Sequence, residues 1–290
     1  MAGINNIFRS PLRYPGGKTC IYKFMTKLLE DNGLVGVNYA EPYTGGAGLA
    51  LRLMMEEYVN HIYINDLDPS IFAVWLSILE HPDEMCRWIE SVDVTVKKWQ
   101  EYKDIQRNYK TADMFELGKA TFFLNRTNVS GVISGGPIGG IKQQGKYKID
   151  VRFNKQELIK RINDITKFSH RIHLSNQDGL DFLSVIDKRI EDIFIYLDPP
   201  YYQKGADLYM NAFKDKDHSV LAERVNLLRN RWMVSYDNHD FVLNLYPNQS
   251  KVLYRLSQCA SNRVGDEVLI FDRRILYREA INLLNSPAIL

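Results

Sequence analysis

The feature that most limits the fold of this chain is an alternation of strand and helix patterns around a Gly-rich turn. Val37–Tyr43 is predicted to be a strand, Leu49–Tyr58 a helix and His61–Asp66 a second strand. The other predicted elements are the helices Ile71–Leu79 and His218–Leu228, the strands Arg171–Leu174, Ile193–Leu197 and Trp232–Tyr236, and a terminal hairpin of Val252–Leu256 and Glu267–Phe271. Strands that alternate with helices predict an α/β fold with a parallel sheet.

The middle of the chain, residues 77–165, interrupts this alternation. It is rich in helix-forming residues up to Leu124 and then becomes irregular through Asn125–Gly145, with six glycines between Gly131 and Gly145. Long Gly-rich segments inside compact proteins are usually functional or disordered loops. We therefore predict one α/β domain, residues 1–76 and 166–290, interrupted by an inserted, mainly helical module at 77–165 that contains a mobile loop.

Composition excludes several classes of protein. The chain has 290 residues, a net charge of +2, and 45% hydrophobic and 25% charged residues, an ordinary globular balance. No apolar run approaches the roughly 18 residues that span a bilayer, and the first residues lack an apolar signal-peptide core. The three cysteines, Cys20, Cys86 and Cys259, form no C-x-x-C pair, which argues against disulfides or zinc. We therefore expect a cytoplasmic protein with neither a membrane nor a metal partner, and a monomer is compatible with the sequence.

The string E-P-Y-T-G-G-A-G at Glu41–Gly48 is the first candidate ligand site. Gly45, Gly46 and Gly48 would let a ligand approach the backbone and the free amides of the following helix. The dinucleotide fingerprint G-x-G-x-x-G is not met, because Leu51 stands where its third glycine belongs. Taken alone, the turn is as compatible with a structural role as with a ligand site.

Asp66 favours the ligand site. It ends the next predicted strand, 18 residues after Gly48, where a carboxylate can accept hydrogen bonds from ribose hydroxyls. A nucleoside cofactor without a pyrophosphate needs these two features and no phosphate cradle, and S-adenosylmethionine is such a cofactor. The alternative is an Asp that only caps a turn before Pro69.

The sharpest motif is Asp198-Pro199-Pro200-Tyr201, directly after the apolar run Ile193–Leu197. Two prolines cannot continue a central strand, so the chain must turn at the carboxyl edge of the sheet, where ligands bind in α/β proteins. The Asp198 carboxylate and the Pro199 carbonyl could accept hydrogen bonds from both N–H groups of the exocyclic amine of a nucleic-acid base. Tyr201 could stack on the ring of that base. The alternative is a Pro-Pro turn with a solvent-facing Asp.

A basic stretch follows the Gly-rich loop. Seven Lys or Arg lie between Lys142 and Arg161, against two acids. Such a stretch can neutralise phosphates, although charge alone fits a solvated surface equally well. The residues predicted to contact double-stranded DNA are Asn125, Arg126, Lys142, Lys146, Lys148, Arg152 and Lys155.

These motifs, taken in order, resemble the Dam-type DNA adenine methyltransferases of the alpha class. The resemblance runs through R-Y-P-G-G-K (13–18), E-P-Y-T-G-G-A-G (41–48), N-D-L-D (65–68), L-N-R (124–126), Q-D-G-L-D-F (177–182), D-P-P-Y (198–201) and D-E-V-L-I-F (266–271). It implies a Rossmann-like fold that binds S-adenosylmethionine and methylates the 6-amino group of a flipped adenine by direct displacement, with 77–165 as the target-recognition module.

The resemblance also implies roles for single residues. Tyr14, where the family commonly has Trp, and Lys18 would contact the cofactor. Tyr43 would line its adenine pocket, Asp66 would hold the ribose and Asp178 would contact the adenine amine. Asp198 would lie where the methionine end of the cofactor meets the target base.

One departure affects specificity. Residues 127–140 contain neither Arg nor Lys, so the Arg that reads guanine in GATC-specific members has no counterpart there, and GATC recognition is not implied.

Three other functions are alternatives to adenine methylation of DNA. The first is methylation of the 4-amino group of cytosine, where Ser more often replaces Asp198. The others are an RNA or protein-glutamine methyltransferase and a DNA-binding module without a cofactor.

Overall fold

The computed structural model describes residues 10–13, 17–203, 213–257 and 264–290. Tyr14 lies outside these residues, so its predicted cofactor contact stays a prediction. The strands of the described chain are β1 Asn38–Glu41, β2 Ile62–Asn65, β3 Ile172–Ser175, β4 Ile193–Leu197, β5 Trp232–Asp237, β6 Ser250–Ser257, β7 Val264–Phe271 and β8 Ala288–Ile289. They form one sheet in the order β3-β2-β1-β4-β5-β7-β6-β8.

The sheet has a parallel half and an antiparallel half. Strands β1 to β5 are parallel, and Tyr39 of β1 pairs with Ile62 of β2 on one side and Phe194 of β4 on the other. The strand order reverses between β1 and β4, and in open α/β sheets ligands bind at the carboxyl ends beside such a reversal. Strand β7 runs antiparallel between β5 and β6, so the predicted parallel sheet and terminal hairpin are both confirmed.

Helices cover both faces of the sheet and build the middle of the chain. They are α1 Tyr22–Asp31, α2 Gly48–Met55, α3 Pro69–Glu80, α4 Pro82–Ser91, α5 Val96–Arg107, α6 Met114–Thr127, α7 Lys155–Thr166, α8 Gly179–Ile186, α9 Asp215–Asn226 and α10 Asp240–Leu245. Short 3-10 helices occupy Lys18–Ile21, Val129–Gly131, Ser169–Arg171 and Ala280–Leu283. Helix starts carry the expected signals: Asp68 caps α3 by accepting from the Ser70 amide, and Pro69 occupies its first turn.

The helical segment from α4 to α7 is continuous with the α/β core. The predicted start of the inserted module, residue 77, falls within α3, which packs closely on α6. The two helices approach so closely that a Cβ added to Gly118 would lie 2.1 Å from the Ser77 hydroxyl. Aromatic rings fill the module between its helices, namely Trp88, Tyr102, Phe122, Phe123 and Phe153. The described parts of the chain include no helix that is both long and apolar enough to cross a membrane.

The predicted loop Asn125–Gly145 is shorter and better anchored than expected. Its first three residues, 125–127, are the last turn of α6. The Asn128 side chain then accepts from the Trp99 indole at 2.6 Å and donates to the carbonyls of Val132 and Ile133. The predicted bounds of the loop are therefore corrected, because residues 125–127 are helical, whereas its mobility stays a prediction.

Candidate active site

Four acidic residues stand at the carboxyl ends of neighbouring parallel strands. Glu41 ends β1, Asp66 follows β2, Asp198 follows β4 and Asp237 ends β5. The reversal of strand order between β1 and β4 lies among them. The fold thus places the acids that the sequence singled out, Asp66 and Asp198, along one edge of the sheet.

The Gly-rich turn after β1 leaves the start of α2 open. Gly45 and Ala47 both adopt positive φ angles, 49° and 48°, and no side chain of the described residues caps the helix. Gly48 opens α2 and lies close to the 3-10 helix Lys18–Ile21, since a Cβ there would lie 2.6 Å from the Thr19 hydroxyl. Amides at an uncapped helix start can bind a polar ligand, and glycine lets that ligand come close.

Asp66 is tied to this turn. Its Oδ2 accepts from the Gly45 amide at 2.8 Å, and its Oδ1 accepts from the Asp68 amide at 3.0 Å. Burial raises the pKa of Asp66 to about 7, although the two amide donors act in the opposite direction. The structure therefore brings the predicted ribose acceptor and the Gly-rich turn together.

Asn65, which the sequence reasoning gave no role, joins three loops. Its side-chain amide donates to the carbonyls of Pro42 and Gln177, both at 3.0 Å, and its oxygen accepts from Ser175 and from the Gln177 amide. The residue is fully buried. Asn65 thus fixes the loop of Tyr43 relative to the loop of Asp178. A polar residue in the last position of an apolar parallel strand was the signal that could have identified it.

Tyr43 and Asp178 lie beside the first turn of α8. A Cβ on Gly179 would come within 2.5 Å of the Tyr43 hydroxyl, so glycine is required for this contact. Burial raises the pKa of Tyr43. Asp178 is exposed and accepts from the Leu180 amide at 2.8 Å as the cap of α8. The two predicted cofactor contacts are neighbours, and Asp178 also has a structural role.

Lys18 ends the motif R-Y-P-G-G-K (13–18), which we call the N-terminal motif, and joins it to the Asp-Pro-Pro-Tyr turn. Its ammonium donates to Asp198 Oδ2 and to the Tyr201 hydroxyl, both at 2.8 Å. The other oxygen of Asp198, Oδ1, accepts from the Ser235 hydroxyl at 2.7 Å. Both prolines are buried, and Tyr201 is 8% exposed. The carboxylate of Asp198 is therefore held from two sides at the end of β4.

Strand β5 supports the same turn from the other side. Asp237 accepts from the amides of Tyr202 and Gln203 at 2.9 and 2.8 Å, directly after the Asp-Pro-Pro-Tyr turn. Neither Ser235 nor Asp237 was predicted as a site residue. They end a parallel strand in the string S-Y-D, so the reasoning that identified Asp66 could have found them too.

Two further carboxylates surround Lys18. Glu267 of β7 lies 3.8 Å from its ammonium and accepts from the Tyr254 hydroxyl at 2.8 Å, and Glu41 accepts from Tyr39. Burial and the charge of Asp198 raise the pKa of Glu41 to about 8 and also raise that of Glu267. This region is therefore acidic and suits a positively charged ligand. The described residues include no group of His, Cys, Asp or Glu placed to hold a metal ion.

Two residues predicted to contact DNA are instead internal supports. Asn125 is 1% exposed and its side chain binds the backbone of Arg13. It accepts from the Arg13 amide and donates to the Arg13 carbonyl, both at 2.7 Å. Arg126 is 8% exposed and donates to the carbonyls of Arg152 and Pro11. Burial and three neighbouring arginines lower the pKa of Arg126. The DNA-binding assignment of Asn125 and Arg126 is corrected, because their polar groups bond to the protein backbone.

The other predicted DNA contacts lie at the surface. Lys142, Lys146, Lys148 and Arg152 are exposed, whereas Lys155 is half-buried and donates to the Glu90 carbonyl. Lys148 donates to the Gln143 carbonyl at 2.6 Å. Arg13, which Asn125 positions, is half-buried and also donates to the Asn128 carbonyl at 3.0 Å. The loop between α6 and α7 therefore presents a basic surface.

The sheet order and the acids at its carboxyl edge define an α/β enzyme with the Rossmann-like methyltransferase fold. The chain belongs to the D12 class N6 adenine-specific DNA methyltransferases, whose family model matches residues 14–258. Its activity is accordingly adenine methylation of DNA.

Individual relatives are distant. A Type II methyltransferase, M.CviBI of Paramecium bursaria Chlorella virus NC1A, is 22% identical over 263 residues, which is 89% of this chain and 95% of that protein. Among solved structures, an rRNA methyltransferase, aviRa of Streptomyces viridochromogenes, is 13% identical with a TM-score of 0.41, over 88% of this chain and 83% of that one. A Legionella pneumophila protein is 12% identical with a TM-score of 0.37, over 93% and 94%.

Proposed function

We propose that this adenine methyltransferase uses S-adenosylmethionine, acts at a specific DNA sequence and methylates an adenine flipped out of the helix. The observation that carries the proposal is the Asp198 carboxylate, held by Lys18 and Ser235 at the start of a turn rigidified by two buried prolines. The 22% identical relative is a Type II methyltransferase, which supports site-specific action. A DNA substrate and well-separated cysteines support a cytoplasmic location.

The edge of the sheet fits the proposed cofactor. S-adenosylmethionine is a nucleoside with a cationic sulfonium and no phosphate, and it supplies an electrophilic methyl group. Gly45, Gly46 and Gly48 would give it close access to the backbone, and Asp66 would accept from the ribose. Tyr14, Lys18, Tyr43, Asp178 and Asp198 are proposed as the remaining cofactor contacts.

The residues of the turn would activate the adenine amine by position. Its lone pair is delocalised into the ring, which makes the nitrogen a poor nucleophile. Asp198 and the Pro199 carbonyl would accept both N–H bonds and so localise the lone pair toward the methyl group. Pro200 would fix the turn, and Tyr201 would stack on the flipped base through its accessible part. A direct displacement needs no covalent intermediate on the enzyme.

The helical module at 77–165 is proposed to read the DNA sequence. Lys142, Lys146, Lys148 and Arg152 are exposed and could neutralise phosphates, and Lys155 could join them if it left the Glu90 carbonyl. Phosphate contacts position a protein without specifying sequence, so replacing these residues should weaken binding to all sequences alike. Each lost contact should lower the slope of log affinity against log salt by roughly one unit.

Two experiments test these assignments. Calorimetric titration with S-adenosylmethionine tests the cofactor, and an absence of binding would refute it.

Replacing residues 127–140 with the loop of another family member tests recognition, because the methylated sequence should then change. The matched control is Lys142→Gln, which should weaken binding without changing the methylated sequence. A swapped enzyme with unchanged sequence preference and unchanged DNA affinity would contradict the recognition role.

A further inference from the structure

Three carboxylates converge on one lysine at the centre of the site. We call Glu41, Asp198 and Glu267 the carboxylate cluster. The ion pairs of the described residues give it one cation, Lys18, whose ammonium lies 2.8 Å from Asp198 and 3.8 Å from Glu267. Glu41 also faces both Lys18 and Asp198. If every carboxylate were ionised, the cluster and Lys18 would together carry a charge of −2 in a largely dry environment.

Such a cluster resists full ionisation. Burial disfavours charged carboxylates, and like charges that share a site raise the pKa of at least one of the groups. Consistently, the pKa values of Glu41 and Glu267 are both raised, by burial first and then by Asp198. Because the groups interact, the retained proton belongs to the cluster and not to one residue.

Among the described residues, the surroundings supply hydroxyls and a thiol and no further negative charge at neutral pH. The titratable groups of this part of the chain that face the cluster, besides Lys18, are Cys20, Tyr39, Tyr196, Tyr201, Tyr236 and Tyr254. Burial raises the pKa of each of them, so they stay neutral. The titration near neutral pH is therefore that of the carboxylates.

One carboxylate oxygen of Glu267 lacks a hydrogen-bond donor within the described residues, which is independent evidence that the cluster needs a further positive charge or proton. The residue is 1% exposed, and its Oε2 accepts from Tyr254. Its Oε1 is buried and has no hydrogen-bond partner within the described residues. A buried carboxylate oxygen without a donor is costly and calls for a counter-charge or a proton.

From this geometry we infer that the cationic cofactor replaces a proton of the carboxylate cluster, so that S-adenosylmethionine binding releases about one proton to solvent. The inference rests on the proposed cofactor. No bond of the cofactor changes in this step: the cluster loses the proton, the proton goes to water, and the sulfonium provides the positive charge in its place. The product, S-adenosylhomocysteine, carries a neutral thioether and should not displace this proton.

The test is calorimetry of both ligands in two buffers with small and large enthalpies of ionisation. The difference in measured heat between the buffers gives the number of protons released. S-adenosylmethionine should release between about half a proton and one proton more than S-adenosylhomocysteine near pH 7. Its affinity should correspondingly rise by up to about tenfold per pH unit relative to that of the product. Any proton released by Asp66 cancels in this comparison, because both ligands carry the same ribose.

Variants assign the effect to the cluster. Glu267→Gln and Glu41→Gln should each reduce the excess proton release by at least half, whereas Glu223→Gln, an exposed residue of α9, should leave it unchanged. Binding of both ligands with equal proton release in the wild-type protein would overturn the inference and leave the proposed cofactor intact. An absence of S-adenosylmethionine binding would instead refute the proposed cofactor and the inference with it.

Discussion

The Lys18 ammonium lies 2.8 Å from Asp198 Oδ2, although the two residues are 180 positions apart in the chain. The contact joins the N-terminal motif to the turn at the end of β4 and places a cation among buried acids. Lys18 therefore binds the Asp-Pro-Pro-Tyr turn from outside the strand that precedes it.

Removing this cation should destabilise the protein strongly. Lys18→Met leaves Asp198 and Glu267 without their counter-charge, and breaking a buried pair typically costs about 3–5 kcal/mol in the free energy of unfolding. Denaturant unfolding measures this loss. The matched control is Lys27→Met, which breaks a half-buried pair with Asp31 on α1 and should cost much less than Lys18→Met. Similar losses for the two variants would contradict the role of Lys18.

Asp66→Ala should weaken cofactor binding by roughly 1.5–3 kcal/mol, the scale of a hydrogen bond to a charged group. The change removes the proposed ribose acceptor and the partner of the Gly45 amide. Calorimetry with S-adenosylmethionine measures the effect. Asp68→Ala is the control, because Asp68 caps α3 and should affect stability more than affinity. Unchanged affinity in Asp66→Ala would remove Asp66 from the binding site.

Glu41 should make the stability of the protein depend on pH. Its pKa is about 8 in the folded protein against an ordinary value of 4.5, so the folded state binds more protons between these values. The free energy of unfolding should therefore fall as pH rises through this window, by at most about 1.4 kcal/mol per pH unit from this group. In Glu41→Gln this fall should be smaller, and in Glu223→Gln it should match the wild type. Parallel pH profiles for wild type and Glu41→Gln would show that Glu41 does not contribute to the retained proton of the carboxylate cluster.

Gly131→Ala tests how the loop after α6 holds the N-terminal segment. Gly131 has a φ of 78°, and an added Cβ would lie 2.3 Å from the Arg13 carbonyl oxygen. The same oxygen accepts a hydrogen bond from the Asn125 side chain. The strain should cost about 1–3 kcal/mol in the free energy of unfolding. Because Arg13 would shift and directly precedes Tyr14, a proposed cofactor contact, the affinity for S-adenosylmethionine should also fall. Gly136→Ala, where nothing lies within 4 Å of the added Cβ, should change neither, and equal effects would refute the anchoring role.

Much of the fold was predictable from the sequence, because apolar runs in parallel strands are continuous and end abruptly at polar residues. Strand β4 was predicted over its observed range, and β1, β2 and β5 within a few residues. Asp66 and Asp198 were placed correctly at the sheet edge for the same reason. Asn65 at the end of β2 and Ser235 near the end of β5 were passed over, because their roles lie in hydrogen bonds to distant loops.

Other features depend on long-range packing that sequence patterns do not show. Asn125 and Arg126 were predicted to contact DNA, but the burial of α6 turns both toward the backbone of residues 11–13. The pairing of Lys18 with Asp198 and Glu267 joins three distant segments of the chain. Neither periodicity nor spacing along the sequence carries information about such contacts.

The most direct test of the central claim is the identity and position of the methylated base. The wild-type protein and Asp198→Ala should each be expressed in a host without DNA methylation, and the DNA sequenced for modified bases, after circular dichroism has shown that the variant is folded. The wild type should produce N6-methyladenine at one recognition sequence. Because Asp198 contacts are needed in the transition state, the variant should lose about 100-fold or more in rate and leave these sites unmethylated in a short induction. Methylation of the 4-amino group of cytosine by the wild type, or methylation by folded Asp198→Ala within threefold of the wild-type rate, would contradict the account.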